Sequence, residues 1–261
     1  MALVIRTWNV FHGNANPPER GGFLEQMVRL ITEDRPDIVA LQELPAWSLR
    51  RLEGWSGMRA SGAVAARPLL ISAELGRVVT ELHHGFFRSA LTGQANAILL
   101  RPDLQPVAKD SIVLNPWSFR RRVGRELGLD AGTRLAWAKA RRVCHAVRTP
   151  GLTVANLHGS SLLDRRIPDA ELLRAAVFAE SLAERADVLV LAGDFNVWRG
   201  KSRTLAQLTG PDWGFSRAIE GIDQILVRGA RTGQPRHWTV EQRTVDGRLL
   251  SDHAPVEVTV E

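Results

Sequence analysis

The chain of 261 residues contains a single cysteine, Cys144, only three lysines and no tyrosine. A lone cysteine excludes an internal disulfide framework, so any fold must be held by its core. No apolar run approaches the ~18 residues that a membrane-spanning helix needs. The apolar opening is interrupted by Arg6 too early to form a signal-peptide core. Repeats, low-complexity tracts and linkers rich in Pro, Gly and Ser are also missing, which predicts one domain over residues 1–261. Together these absences make a cytoplasmic protein with no membrane insertion the default expectation, although a lone cysteine fits an extracytoplasmic protein equally well, and no obligate protein partner is implied.

What is present is ordinary for a globular chain, with 44% hydrophobic and 24% charged residues. At this length a domain buries roughly three quarters of its extended surface, enough for a large core. The formal charge of +6 is unevenly placed. From Trp117 to Arg148 nine Arg or Lys face only Glu126 and Asp130, a net +7, and the rest of the chain nets −1. One reading is a surface that grips a polyanion, because the guanidinium fork matches phosphate oxygens. The other is a coding bias toward Arg that leaves a solvated face.

Short apolar runs at Leu3 to Val10, Ile38 to Leu41, Ala97 to Leu100, Val143 to Val147, Leu152 to Leu157 and Val188 to Ala192 predict strands. Ile222 to Val227 and Pro255 to Val260 extend the set. Helical spacing predicts helices over Phe23 to Asp34, which Pro36 bars from continuing, and Asp169 to Arg185. Strands outnumber helices, which favours mixed sheets over a regular doubly wound fold or barrel.

Several of these runs end in polar residues that no core requires. Asn9 closes the first, Gln42 and Glu43 follow the second, His158 follows another, and Asp194 and Asn196 follow a fourth. Parallel strands bring such ends to one rim, where α/β folds collect ligand sites. If the last strand runs antiparallel, Ser251, Asp252 and His253 before it reach the same rim. Glu43, Asp194 and Asp252, with the carbonyls of Asn9 and Asn196, form a hard oxygen-donor set suited to Mg²⁺ or Mn²⁺. His158 and His253 add imidazoles that exchange protons near neutrality, one of which a carboxylate such as Asp223 can orient.

The order and spacing of these motifs carry a resemblance. Thr-Trp-Asn-Val at 7–10, Asp-Ile-Val-Ala-Leu-Gln-Glu at 37–43, Asn-Ala-Ile-Leu at 96–99 and Val-Ala-Asn-Leu-His at 154–158 belong to it. So do Leu-Ala-Gly-Asp-Phe-Asn at 191–196, Ile-Asp-Gln-Ile-Leu-Val at 222–227 and Ser-Asp-His-Ala-Pro-Val at 251–256. In this series the chain resembles the endonuclease/exonuclease/phosphatase superfamily. The resemblance implies a four-layer α/β sandwich with two packed mixed β-sheets flanked by helices, and a divalent-metal site at one end.

It further implies that Glu43 is the principal metal ligand, assisted by Asn9 and Asp252. Asp194 and Asn196 would orient water and the scissile phosphate. His253, paired with Asp223, resembles the histidine that acts as base or contacts the phosphate. His158 resembles the proton donor of the deoxyribonuclease and sphingomyelinase branches, where a glutamate stands at the place of Gln94. The catalytic tyrosine of abasic-site endonucleases has no counterpart here. Asn96 is placed with the substrate-binding residues, as are Arg120, Arg121 and Arg122 of the basic segment.

The core motifs do not choose the substrate, since relatives act on DNA, RNA, sphingomyelin and inositol phosphates. Aromatics interleaved with Arg between Trp117 and Arg122 suit backbone phosphate and a stacked base. Trp198 and Trp213 offer further rings, although all these aromatics serve equally well as packing anchors. The leading expectation is a metal-dependent phosphodiesterase acting on nucleic acid. The alternatives are a hydrolase of a small soluble phosphate ester, or an inactive nucleic-acid binder.

Overall fold

A computed structural model of the chain describes residues 2–68, 72–82 and 91–261. Its strands, in chain order, are β1 (Leu3–Asn9), β2 (Ile38–Leu44), β3 (Arg59–Ala66), β4 (Gln94–Leu100), β5 (Ala108–Val113), β6 (Val143–Thr149) and β7 (Leu152–His158). They continue with β8 (Val188–Asp194), β9 (Asp223–Arg228), β10 (Arg236–His237), β11 (Thr244–Val245), β12 (Arg248–Leu249) and β13 (Val256–Val260). The helices are α1 (Leu24–Thr32), α2 (Leu52–Ser56), α3 (Ala73–Leu82), α4 (Trp117–Glu126), α5 (Ala131–Lys139), α6 (Arg166–Leu182) and α7 (Arg203–Leu208).

Alternation along each strand builds the layers. In β1, Ile5 joins an apolar cluster with Ile38 and Ala40 of β2, Ile98 of β4, Val154 of β7, Val190 and Ala192 of β8, and Ile225 and Val227 of β9. That cluster fills the space between a six-stranded sheet, ordered β10-β13-β1-β2-β4-β3, and a five-stranded sheet, ordered β5-β6-β7-β8-β9. The intervening residues point outward. Trp8, Val39, Leu41, Ala97 and Leu99 pack under α1, through Met27, Val28 and Ile31. Ala155, Leu157, Leu189 and Leu191 pack under α6 and α7, through Leu172, Ala175, Ala179, Leu205 and Leu208. The result is the expected four-layer α/β sandwich with two mixed β-sheets flanked by helices.

β1 runs parallel to β2 and antiparallel to β13, so the cluster before β13 does reach the rim where β1 ends. The other strands continue further toward that rim than their apolar runs suggest. β2 extends past Leu41 to Leu44, β8 past Ala192 to Asp194, and β4 begins at Gln94. Among them Gln42, Asp194, Gln94 and Asn96 are polar and face between the sheets, so hydrophobic periodicity does not register the strand ends. The sequence reading also passed over β3 and β5, edge strands whose exposed residues break the apolar pattern. No helix among the described residues is long and apolar enough to cross a membrane.

Candidate active site

Where the inner apolar layer runs out, each strand contributes a polar residue. One step before the rim, Thr7, Gln42 and Asn156 form a buried layer joined by hydrogen bonds from Gln42 Nε2 to Thr7 Oγ1 at 3.0 Å and to Asn156 Oδ1 at 2.8 Å. The next positions on the same face are Asn9, His158 and Asp194. His158 and Asp194 are register partners, as are Asp194 and Asp223.

Glu43 would face outward by simple alternation from Gln42. Instead the β2–β4 register shifts between Leu41 and Leu44, and Glu43 takes a left-handed φ of 56°. Such a bulge re-aims a side chain. His12, itself at φ 54°, donates from Nδ1 to the Glu43 carbonyl at 2.9 Å and braces the turned backbone. Left-handed backbone recurs around the rim at Asn196 and Ser251, the kind of clustering found at functional sites.

Asp194 sits at the centre and is 2% exposed. Its Oδ2 accepts from Asn9 Nδ2 at 3.1 Å, and its Oδ1 accepts from the Asn196 backbone N–H at 3.0 Å. Burial, and then the neighbouring Asp223 charge, pushes its carboxyl up to about 7. Two imidazoles approach it: His158 Nε2 lies 3.6 Å from Oδ2 and also 3.6 Å from Glu43 Oε1, while His253 Nε2 lies 3.9 Å from Oδ2.

The two histidines are held in opposite ways. His253 Nδ1 is 2.8 Å from Asp223 Oδ2, and Ser251 Oγ accepts its backbone N–H at 3.1 Å. Burial works against its charge, but the hydrogen bond to Asp223 and the surrounding carboxylates prevail and raise it to about 9. His158 has no such carboxylate at Nδ1. It faces Gln94 Nε2 at 3.2 Å and the Arg142 guanidinium at 3.4 Å, and burial together with that guanidinium holds it well below 6.5.

Most of the residues expected at the site from the sequence therefore meet around Asp194. Asn196 anchors the loop by donating from Nδ2 to the Gly159 carbonyl at 3.0 Å. The Asp252 carboxyl is raised by partial burial and by the charge of Glu43, which it accompanies. Among the described residues, Asp194, Asp223 and His253 form a donor group whose ligand atoms lie within 4.8 Å of one another. Of the expected trio, Asn9 donates to Asp194 Oδ2 at 3.1 Å, Glu43 Oε1 lies 3.6 Å from His158 Nε2, and Asp252 is coupled in charge to Glu43 and His253. Among the described residues, Asp223 Oδ1 is buried without a hydrogen-bond partner. Crowded carboxylates and an orphaned buried oxygen fit a divalent cation of the oxygen-preferring kind.

Asn96 is buried on β4 and donates from Nδ2 to the Val143 carbonyl at 3.2 Å, tying the two sheets just below the rim. The basic segment leaves and re-enters at this rim, because Val113 pairs with Val143 and Cys144 pairs with Leu157. Within it Phe119 and Val123 are core, packed with Trp137 and Ile167, so Phe119 is an anchor and not a stacking platform. Arg121 lies over the exposed ring of Trp117, 5.2 Å from its centroid. Arg120 is half-buried on the same helix. Arg122 lines a groove of about 340 Å³ beside α6, with Phe119 and Arg174, which none of the rim carboxylates borders. Trp198 stands exposed, while Trp213 stacks on Phe215 against the outer core.

Two features escaped sequence reading. Arg142 is an undistinguished member of the basic segment until the fold seats it against His158. A second groove of about 530 Å³ is lined by Trp47, Arg50, Arg51, Glu74, Arg77 and Val78. It adjoins the turn that directly follows β2, and only the packing of α3 against that turn assembles it.

The chain belongs to the endonuclease/exonuclease/phosphatase family, whose model matches residues 7–253. Members of that family hydrolyse phosphate esters and typically depend on a divalent metal. No curated protein matches this sequence. Among solved structures, a conserved protein of unknown function from Enterococcus faecalis is 18% identical with a TM-score of 0.65, each chain covered to 99%. A humanized D. rerio TDP2 is 16% identical with a TM-score of 0.63, over 100% of this chain and 99% of its own. A mannosyl-6-phosphatase of Bacteroides thetaiotaomicron is 16% identical with a TM-score of 0.58, each chain covered to 99%. At these identities the likeness is one of fold.

Proposed function

We propose that the chain is a metal-dependent phosphodiesterase that acts on nucleic acid, with Mg²⁺ or Mn²⁺ as its cation. The observation that carries this reading is the convergence of Glu43, Asp194, Asp223, His158 and His253 on one rim. Glu43 would hold the cation, with Asp252 and the Asn9 carbonyl as further oxygen donors. When bound, it supplies polarisation of the phosphoryl oxygen.

The chain's own groups do the rest. Asp194, with Oδ2 held by Asn9 and Oδ1 by the Asn196 backbone N–H, orients the attacking water and accepts its proton. His253 is held by Asp223 through Nδ1 and presents Nε2 to the phosphate, where its positive charge meets the anion. His158 presents Nε2 to the same space, 3.6 Å from Glu43 Oε1 and Asp194 Oδ2, and the leaving oxygen takes its proton from solvent water.

Two basic surfaces flank the rim and favour a polyanionic substrate. One is the segment carrying Arg120, Arg121 and Arg122, and the other is the groove with Trp47, Arg50, Arg51 and Arg77. An indole beside guanidinium groups suits a base and its phosphates. A second reading, a small soluble phosphate ester, draws on the fold shared with a mannosyl-6-phosphatase. Purified protein assayed with Mg²⁺ or Mn²⁺ on plasmid, single-stranded DNA, RNA and small phosphate mono- and diesters decides between them. Cleavage of a polynucleotide is expected; turnover confined to small esters would transfer the assignment to the second reading.

A further inference from the structure

Arg142 stands just before β6 with its backbone pinned on both sides. Its N–H donates to Asn115 Oδ1 at 3.2 Å, and its carbonyl accepts from Leu114 at 2.8 Å. The residue is 9% exposed and its side chain runs inward to the rim, where one guanidinium nitrogen lies 3.2 Å from Gln94 Oε1 and 3.4 Å from His158 Nδ1. Gln94 Nε2 completes a triangle at 3.2 Å from the same Nδ1. The three residues come from three strands or strand ends in two different sheets, so no local sequence feature brings them together.

The hydrogens in this triangle can be assigned from chemistry alone. A guanidinium only donates, so the end of Gln94 that faces Arg142 must be its carbonyl oxygen. The other end, facing His158, is therefore the amide NH₂, which also only donates. Nδ1 receives two donors and must present its lone pair. A neutral imidazole carries one N–H, and here it falls on Nε2. Nε2 lies 3.6 Å from both Glu43 Oε1 and Asp194 Oδ2, too long for a hydrogen bond to either. The N–H thus points between two carboxylates without being consumed by them. His253, with Nδ1 on a carboxylate, has the opposite arrangement.

We propose that Arg142 is a positioning residue that, by fixing the Gln94 amide, locks His158 in the Nε2–H form, so that His158 offers the substrate a fixed hydrogen-bond donor. The oxygen it meets is a non-bridging phosphoryl oxygen, where charge accumulates in the transition state. What His158 does with its N–H rests on the hydrolytic reading above; how the ring is held does not.

The test reads the tautomer directly in the full-length, metal-free protein carrying ring-¹⁵N histidine, with the His158 resonances identified by their loss in His158→Gln. Long-range ¹H–¹⁵N spectra should show Nε2 protonated and Nδ1 bare. Arg142→Gln frees the Gln94 amide to turn, and the proton should redistribute toward Nδ1. Arg142→Lys keeps a donor and should preserve the parent pattern. Gln94→Glu, nearly isosteric, puts an obligate acceptor at Nδ1 and should draw the proton there, which keeps the test decisive if Arg142→Gln does not fold. On whichever ester the parent hydrolyses, Arg142→Gln should lower kcat by roughly 10²-fold with KM nearly unchanged, and Arg142→Lys should restore much of it. A parent protein with Nδ1–H, or folded Arg142→Gln and Gln94→Glu variants that keep the parent tautomer, would overturn the proposal. A correct tautomer in a protein that hydrolyses no phosphate ester would instead sink the hydrolytic reading and leave the positioning intact.

Discussion

Gln42 reaches across the sandwich to Asn156, donating from Nε2 to Asn156 Oδ1 at 2.8 Å, and Asn156 in turn donates to the Leu41 and Ala97 carbonyls at 2.9 and 2.8 Å. This buried polar bridge ties the two sheets one step below the rim and sets their separation where Glu43 faces Asp194. Asn156→Leu removes the acceptor of one buried donor and the donor of two carbonyls. A loss of about 3 kcal/mol is expected in urea unfolding. A change under about 0.5 kcal/mol would mean that the bridge is dispensable.

Gly193 has a φ of +138°, and a Cβ there would sit 1.9 Å from the Leu157 carbonyl oxygen. Neither backbone can yield without breaking the β7–β8 pairing that sets His158 beside Asp194. Gly193→Ala should cost more than about 4 kcal/mol, enough to abolish folding of a marginally stable domain. A soluble variant with a parental melting temperature would contradict this.

Glu43→Gln keeps the shape of the bulged strand and removes one charge from the cation site. Affinity for Mg²⁺, measured by calorimetry or by the shift in melting temperature, should fall at least ~10-fold, and hydrolysis should fall with it. Excess chelator should abolish hydrolysis by the parent protein. Undiminished activity in chelator would remove the cation from the chemistry.

The rim also predicts how stability varies with pH. Folding raises the Asp194 carboxyl from 3.8 to about 7 and the His253 imidazole from 6.5 to about 9. Groups raised on folding stabilise below their unfolded values and lose that contribution as pH climbs through the folded ones. The metal-free protein should therefore melt at progressively lower temperature from about pH 6 to about pH 9. Mg²⁺ should restore more stability at the upper end, where the carboxylates it replaces protons on are ionised. A melting temperature that climbs with pH in chelator would refute the assignment of these groups.

Substrate grip is read from salt. On duplex DNA, log affinity should fall with log salt at about −0.9 per phosphate contacted. Joint replacement of Arg50, Arg51 and Arg77 by Gln tests one flank, and that of Arg120, Arg121 and Arg122 the other. Each triple variant should flatten the slope by up to about three contacts' worth. Arg122, drawn toward α6, should contribute least. Parental slopes from both variants would reduce the two flanks to solvated surface.

The sequence alone determined the strands, their mixed sheets and the cast of rim residues, because these are written in short-range terms, while the four-layer arrangement was implied by the family its motifs resemble. Apolar alternation marks a strand and its faces, and the order of Asn9, Glu43, His158, Asp194 and His253 survives as motifs attached to strand ends. Tertiary structure decided what those motifs could not contain. The aim of Glu43 depends on a bulge and a left-handed backbone that β4 and His12 hold in place. The fate of Phe119, core and not platform, depends on the helix it meets. The opposite settings of His158 and His253 depend on partners up to 64 residues away in the chain, Gln94 and Arg142 for one and Asp223 for the other. An imidazole takes its proton arrangement from whatever touches it, and contact across two sheets is a property of packing that no local pattern of residues encodes.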